Sequence, residues 1–257
     1  MTDWSGAAYR RLSALQDAVA ADALARFATL VRRDDEAVLD VGCGDGRRTA
    51  EVAELVPHGT VLGVDASPRM IAAAQELARP GLRFAVVRAQ DLERAAEFDL
   101  ILSLNALHWV PRPELPVVLE RLGRALRPGG RALLQLVGAA ERRSLEQTAM
   151  EVTAAPRWNR WFTGFPAPFT HPSQDELTGW AESAGFGVRE ATQTDHQWPF
   201  PSPEAFRQWA AMGFGDWTGR LPDEEHRDRF VRDVVTTYAG TGSMFRFTQL
   251  RVVLDRR

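Results

Sequence analysis

The sequence predicts an α/β fold: a doubly wound, mostly parallel sheet with helices on both faces and a further set of helices inserted toward the carboxyl end. Three observations carry that expectation. Short apolar runs alternate with helical stretches through the first half, the pattern of successive β-then-α units. The first of these runs ends in closely spaced glycines. Residues 139–170 then break the alternation with a segment rich in aromatics and proline.

In chain order, Leu12, Leu15, Val19, Ala23, Leu24, Phe27 and Leu30 recur at helical spacing, so Tyr9 to Val31 reads as an amphipathic helix. Ala37 to Val41 is a short apolar run, as expected of a buried parallel strand. A helix over Arg47–Leu55 and a second strand over Thr60–Val64, closing on Asp65, follow. Ser67 and Pro68 then provide a cap and a first helical residue for a helix running to about Ala78. Strands three and four are expected at Arg83–Val87 and Phe98–Leu104. A helix over Leu115–Leu126 stops at Pro128-Gly129-Gly130, before a fifth strand over Arg131–Val137. Beyond the aromatic segment, Ser173 and Glu176 have capping-box spacing for a helix to Ala184. A strand over Phe186–His196, helices over Pro201–Met212 and Pro222–Tyr238, and a last strand over Met244–Leu254 complete the expectation.

Composition bounds the function. The chain has 257 residues, 31 basic and 34 acidic side chains, and every basic one is an arginine. A net charge of −3 gives no basic footprint for nucleic acid, and no apolar run approaches a membrane span. The first residues lack an apolar signal core, and the one cysteine, Cys43, excludes a disulfide scaffold. A soluble, cytoplasmic protein is expected, with no membrane or nucleic-acid partner. The absence of lysine removes Schiff-base and phosphate-loop chemistry. The histidines other than His108, namely His58, His171, His196 and His226, fall in loops or on solvent-facing helices without metal-ligand spacing, so no metal is expected.

The most informative segment is Val38-Leu39-Asp40-Val41-Gly42-Cys43-Gly44-Asp45-Gly46. A strand turning into a helix through Gly42, Gly44 and Gly46 lets backbone approach a ligand at the switch point of a Rossmann-like sheet. The spacing G-x-G-x-G is neither the dinucleotide fingerprint nor a phosphate loop. Asp65, at the end of the second strand, can accept both hydroxyls of a ribose, so an adenosine-containing ligand fits. Gln90-Asp91 follow the third strand.

Together VLDVGCGDG, VLGVDASPRM, AQDLE, FDLILSLNALHWV and LRPGGRALLQL resemble the successive motifs of class I S-adenosylmethionine-dependent methyltransferases. The resemblance covers about residues 35–137 and implies S-adenosylmethionine as cofactor. It implies that Asp40 and the loop of Gly42, Cys43, Gly44 and Gly46 hold the methionine end, with Cys43 a small residue filling the turn. Asp65 would take the ribose, Ala66 and Met70 would flank the adenine, and Asp91 with Gln90 would meet its amino edge. Asn105 would line the sulfonium region. Leu107-His108-Trp109-Val110, Gly164 to Phe169 and Phe245-Arg246-Phe247 are similar to the trans-aconitate and juvenile-hormone-acid methyltransferase group. So is an amino-terminal segment with Trp4, Tyr9 and Gln16, which in that group forms a lid. The whole chain then forms a single domain: lid helices over 1–34, cofactor core over 35–137, and cap insertions with the last strands over 138–257.

The expected reaction is methyl transfer to a small organic acceptor, most readily a carboxylate oxygen of an acid with an apolar body. O- or C-methylation of a secondary metabolite, or a methyltransferase-like cyclisation or isomerisation without methyl transfer, are the alternatives, and a binding protein with a degenerate cofactor site is a further one. His108, at a strand end, is the candidate catalytic residue, as base or as partner of the acceptor carboxylate. Tyr9, Trp109, Trp158, Trp161 and Trp209 are candidate walls of the acceptor pocket, with Gln16 near the cofactor. Arg246 is the candidate carboxylate clamp, ahead of Arg157 and Arg160.

Overall fold

The computed structural model describes residues 14–257, apart from the side chains of Ala14 and Gln16. Trp4, Tyr9 and the part of the expected helix that precedes Ala14 lie outside the described residues. The helix is seen from Ala14 to Ala28 (α1) and buries Ala23 and Phe27.

Strand β1 (Ala37–Val41) leads through the glycine loop into α2 (Arg47–Leu55), β2 (Thr60–Asp65) into α3 (Pro68–Ala74), and β3 (Leu82–Val86) toward β4 (Phe98–Leu104). Helix α4 (Leu115–Ala125) returns the chain to β5 (Leu126–Val137). All pairings among these five strands are parallel. After α5 (Leu145–Thr153), α6 (Asn159–Phe162) and α7 (Gln174–Ser183), strand β6 (Phe186–Pro199) forms an edge. Helices α8 (Pro203–Gly213), α9 (Gly215–Thr218) and α10 (Glu224–Ala239) precede β7 (Met244–Arg256), which inserts antiparallel between β5 and β6. The sheet order is β3-β2-β1-β4-β5-β7-β6.

Strand alternation divides the sheet between two layers. Leu39, Ile101, Leu134 and Val252 face α4 and α7, while Val38, Leu100, Leu133 and Val253 face α1, α2 and α3. A third apolar cluster joins Leu15, α5, α6 and α8 to α10 through Trp158, Phe206, Trp217 and Phe230. It is the set of helices that the aromatic segment announced.

The sequence expectations differ from the structure in several bounds: the first helix ends at Ala28, not Val31, strand three is seen at Leu82–Val86, and strand six runs on to Pro199. The helix begun by Ser67 does not reach Ala78: it ends at Ala74 and tightens into a 3-10 turn, Gln75–Leu77. Strand five begins at Leu126, not Arg131, because Leu126 already pairs with Phe98. The ladder shifts there, and Pro128-Gly129-Gly130 lies within the strand.

Candidate active site

A cavity of about 590 Å³ opens at the carboxyl ends of β1, β2, β3 and β4. Its position follows from topology. The chain leaves β1 toward β2 on one side and reaches β4 on the other, so the loops diverge and leave a crevice.

The glycine loop shapes one wall. Gly42 has φ +78°, and a Cβ there would lie 2.0 Å from the Ala106 methyl, so the β1 and β4 loops meet closely only through a glycine. Gly44, φ +57°, has open space beside it and lines the cavity. Its amide donates to Asp65 Oδ2 at 3.0 Å, and the Ser67 amide donates to Asp65 Oδ1 at 2.8 Å. The carboxylate is thus fixed on the cavity wall with lone pairs left over for hydroxyl donors. Burial raises the pKa of Asp65, and those backbone hydrogen bonds oppose the rise. Ala66, Ser67 and Met70 continue this wall, and Gln90 closes it with its amide donating to Glu114 at 2.6 Å.

Asn105, just beyond β4, adopts φ +53°, a left-handed conformation that asparagine tolerates better than most residues. Its amide donates to the Gln135 carbonyl at 2.7 Å, and its side-chain oxygen accepts from Gln249 at 2.8 Å. Both partners lie on neighbouring strands, so the sheet itself sets where Asn105 meets the cavity.

The next turn, Leu107–Trp109, brings His108 and Trp109 to the wall. Thr170 ties this turn down: its amide donates to the His108 carbonyl and its hydroxyl to the Val110 carbonyl, each at 2.7 Å. The His108 ring is buried, with Nδ1 lacking a partner. Burial, with the neighbouring His171 adding to it, pushes its pKa down to about 3, so the ring is neutral at physiological pH. Opposite the glycine loop the walls are mostly apolar, with Leu15, Val19, Pro168, Trp209, Phe214 and Phe245, and Glu146 and Asp216 also line the cavity.

Gly42, Gly44, Asp65, Ala66, Met70, Gln90, Asn105, His108, Trp109 and Trp209 therefore share one cavity. Other candidates do not join it. Asp40 lies behind the loop, buried, accepting from the Thr49 hydroxyl at 2.7 Å. Burial lifts its pKa to about 7; the Thr49 hydrogen bond opposes the rise and Asp65 adds to it. Cys43 points into the layer below β1, where burial raises its thiol pKa well above the ordinary value. Gly46 serves packing: a Cβ there would lie 2.8 Å from both Ala74 and Phe84. Asp91 is exposed and turned toward Arg88, 3.7 Å away, because the turn after β3 presents Gln90 inward and Asp91 outward.

Trp158 belongs to the interior of the helical cluster, and Trp161 packs against it, partly buried. The Trp158 indole N–H donates to Asp233 at 3.0 Å, and the Arg160 guanidinium lies over the Trp161 ring at 3.9 Å. Arg157 pairs with Asp233. Arg246 also faces away from the cavity: Phe245 and Phe247 take the inward positions of β7, and alternation sends the residue between them to the other face. Alternation alone could have found those two phenylalanines. Glu146 and His171, which flank the acceptor side, gave no sequence signal; His171 is buried beneath the Leu107–Trp109 turn rather than exposed.

The comparisons with known proteins fit this geometry. Residues 38–130 match the family model described as a methyltransferase domain. The chain is 34% identical over 202 residues to a trans-aconitate 2-methyltransferase of Deinococcus radiodurans, covering 76% of this chain and 75% of the relative. The chain belongs to the class I S-adenosylmethionine-dependent methyltransferases, in the group of the trans-aconitate 2-methyltransferases. A second relative of that name, from Methylobacterium nodulans, is 30% identical over 189 residues, 73% of this methyltransferase and 70% of the relative. The solved structure of BH2331 from Bacillus halodurans C-125 superposes with a TM-score of 0.62 at 17% identity, covering 91% of this chain and 97% of that one, and shares the fold.

The cofactor of this methyltransferase is S-adenosylmethionine, and the cavity residues fit it: a glycine cradle open at Gly44 and a fixed carboxylate at Asp65. Among the described residues no group of three or more acidic, histidine or cysteine side chains stands close enough to hold a metal, and no helix is long and apolar enough to cross a membrane.

Proposed function

We propose that this methyltransferase acts on a carboxylate oxygen of a small organic acid with an apolar body. The observation that supports this most is the continuity of a single cavity, with the glycine loop and Asp65 at one end and Trp209, Phe214, Phe245 and Phe247 at the other. The relatives are named for methylation of a carboxylic acid, which favours that acceptor group. The aromatic walls favour an apolar body.

When bound, the cofactor supplies a methyl group on a positively charged sulfur, open to in-line attack. The chain's own residues bind, orient and exclude water. The backbone at Gly42 and Gly44 holds the methionine end, Asp65 takes the ribose hydroxyls, and Ala66, Met70 and Gln90 surround the adenine. Asn105 borders the reacting region. A carboxylic acid, with a reference pKa near ~4.3, is ionised at neutral pH, so no residue has to take a proton from it. His108 suits that chemistry: with a pKa of about 3 it is a weak base, but as a neutral imidazole it can donate one hydrogen bond to orient the acceptor. Positioning then accounts for most of the rate.

The test offers methyl-labelled cofactor with a panel of monocarboxylic acids and follows the label by mass spectrometry. Label is expected in an alkali-labile methyl ester. Label on a hydroxyl oxygen or a carbon, or label that stays on the cofactor with every acid, would overturn the proposal.

A further inference from the structure

Among the described residues, Glu146 puts a carboxylate at the acceptor end of the cavity and no arginine lines that end. Glu146, in the first turn of α5, lines it and is only 8% exposed. Among the described residues its carboxylate has one ion-pair contact within 4 Å, His171 Nε2 at 3.8 Å. That ring is itself buried, 4.7 Å from the Phe169 ring; burial lowers its pKa below the ordinary imidazole value, and the Glu146 carboxylate opposes the fall. Among the described lining residues the one arginine is Arg88, on the cofactor side, where it faces Glu114 at 3.4 Å and Asp91 at 3.7 Å. Arg246, the clamp expected from sequence, faces the other side of β7.

We infer that Glu146 is a specificity-determining residue: it makes the acceptor chamber reject di- and tricarboxylates and accept an acid with a single carboxylate. This rests on the carboxylate-oxygen reading of the function. One acceptor carboxylate at the reacting end meets the positive sulfur of the cofactor. A second or third carboxylate would have to sit in the aromatic chamber beside Glu146. Like charges roughly 6 Å apart in a half-buried site repel by enough to cost about tenfold to a hundredfold in affinity. Trans-aconitate is a tricarboxylate, so on this point the chain departs from the relatives named for it.

The test is calorimetric titration of the full-length protein, saturated with sinefungin as a cationic cofactor analogue, with decanoate and with trans-aconitate. Decanoate is expected to bind at least about tenfold more tightly than trans-aconitate. Glu146→Gln keeps the shape and removes the charge; it should tighten trans-aconitate binding about tenfold and leave decanoate within about threefold. Glu146→Asp, which keeps the charge, should retain the wild-type preference. Sinefungin affinity and the melting temperature report whether each variant is folded, and the wild-type ratio is decisive by itself. Trans-aconitate binding as tightly as decanoate, no decanoate binding at millimolar ligand, or an unchanged ratio in folded Glu146→Gln would each overturn the inference. Decanoate that binds but is not methylated when S-adenosylmethionine replaces sinefungin would sink the carboxylate-oxygen reading and leave the charge preference standing.

Discussion

The cofactor end of the cavity is assembled from the carboxyl ends of β1 to β4, which follow one another in sequence, whereas the acceptor end draws on segments scattered from Leu15 to Phe247. The first end is fixed by backbone: amides of Gly44 and Ser67 hold Asp65, and the β5 backbone holds Asn105. The second is fixed by packing of large apolar side chains from α1, α5, α8 and β7. A site made of backbone and one carboxylate tolerates little change and serves one constant ligand. A site made of packed side chains can be recut for different acceptors by exchanging a few residues, without touching the cofactor loop.

Substitutions at the two ends should therefore separate cleanly. The largest effect is expected for Asp65→Ala, which removes the charged acceptor that the ribose hydroxyls need. Affinity for S-adenosylhomocysteine, measured by calorimetry, should fall about a hundredfold. Trp209→Ala should act on the other end only: the acceptor KM should rise about tenfold while cofactor affinity stays within about twofold. Weakened cofactor binding in that variant would break the division between the ends.

Next comes stability. The φ of +78° at Gly42 and the 2.0 Å approach of its Cβ to Ala106 mean that Gly42→Ala must displace one loop. The variant should lose roughly 2 kcal/mol, a melting temperature lower by roughly 4–8 °C in a chain of this size.

The pH dependence of His108 gives a smaller, signed effect. Its folded-state pKa of about 3 lies below its ordinary value of 6.5, so between these pH values the unfolded chain binds a proton that the native ring refuses. Stability from this group is whole above pH 6.5 and falls as pH drops toward 3. Asp40, lifted from 3.8 to about 7, works in the opposite sense, costing stability as pH rises through that window. The stability advantage of wild type over His108→Asn should therefore shrink as pH falls from 7 to 5, by up to about 1.4 kcal/mol per unit once below the ordinary pKa. Denaturant melts of both proteins at the two pH values measure it. The smallest effect belongs to Arg246→Ala, whose acceptor KM should stay within about twofold because its side chain faces away from the chamber.

Legibility in the sequence follows the same division. The strand Ala37–Val41, the helix Arg47–Leu55 and the strand Phe98–Leu104 appear at the expected residues, because a strand buried on both faces reads as a mostly apolar run and the glycines after β1 mark its turn. Gly42, Gly44, Asp65, Met70 and Asn105 sit at or near the ends of such strands and reach the cavity together. Asp91 was misleading because a turn of three residues can present either neighbour inward, and here it presents Gln90. Among the aromatics, composition marked a cluster but not its lining: Trp158 and Trp217 are interior, while Trp209 reaches the cavity.

By itself the sequence determined the order of strands and helices, the glycine-bounded turn beside β1 and the carboxylate at the end of β2. Each of these is set by local chemistry: apolar runs, caps and residues that allow positive φ. Only the tertiary structure decided which side chains of the distant segments face one another. Arg246 turns outward while Phe245 and Phe247 turn inward, and Glu146 meets His171 across a loop, because strand register and helix packing join residues far apart in the chain.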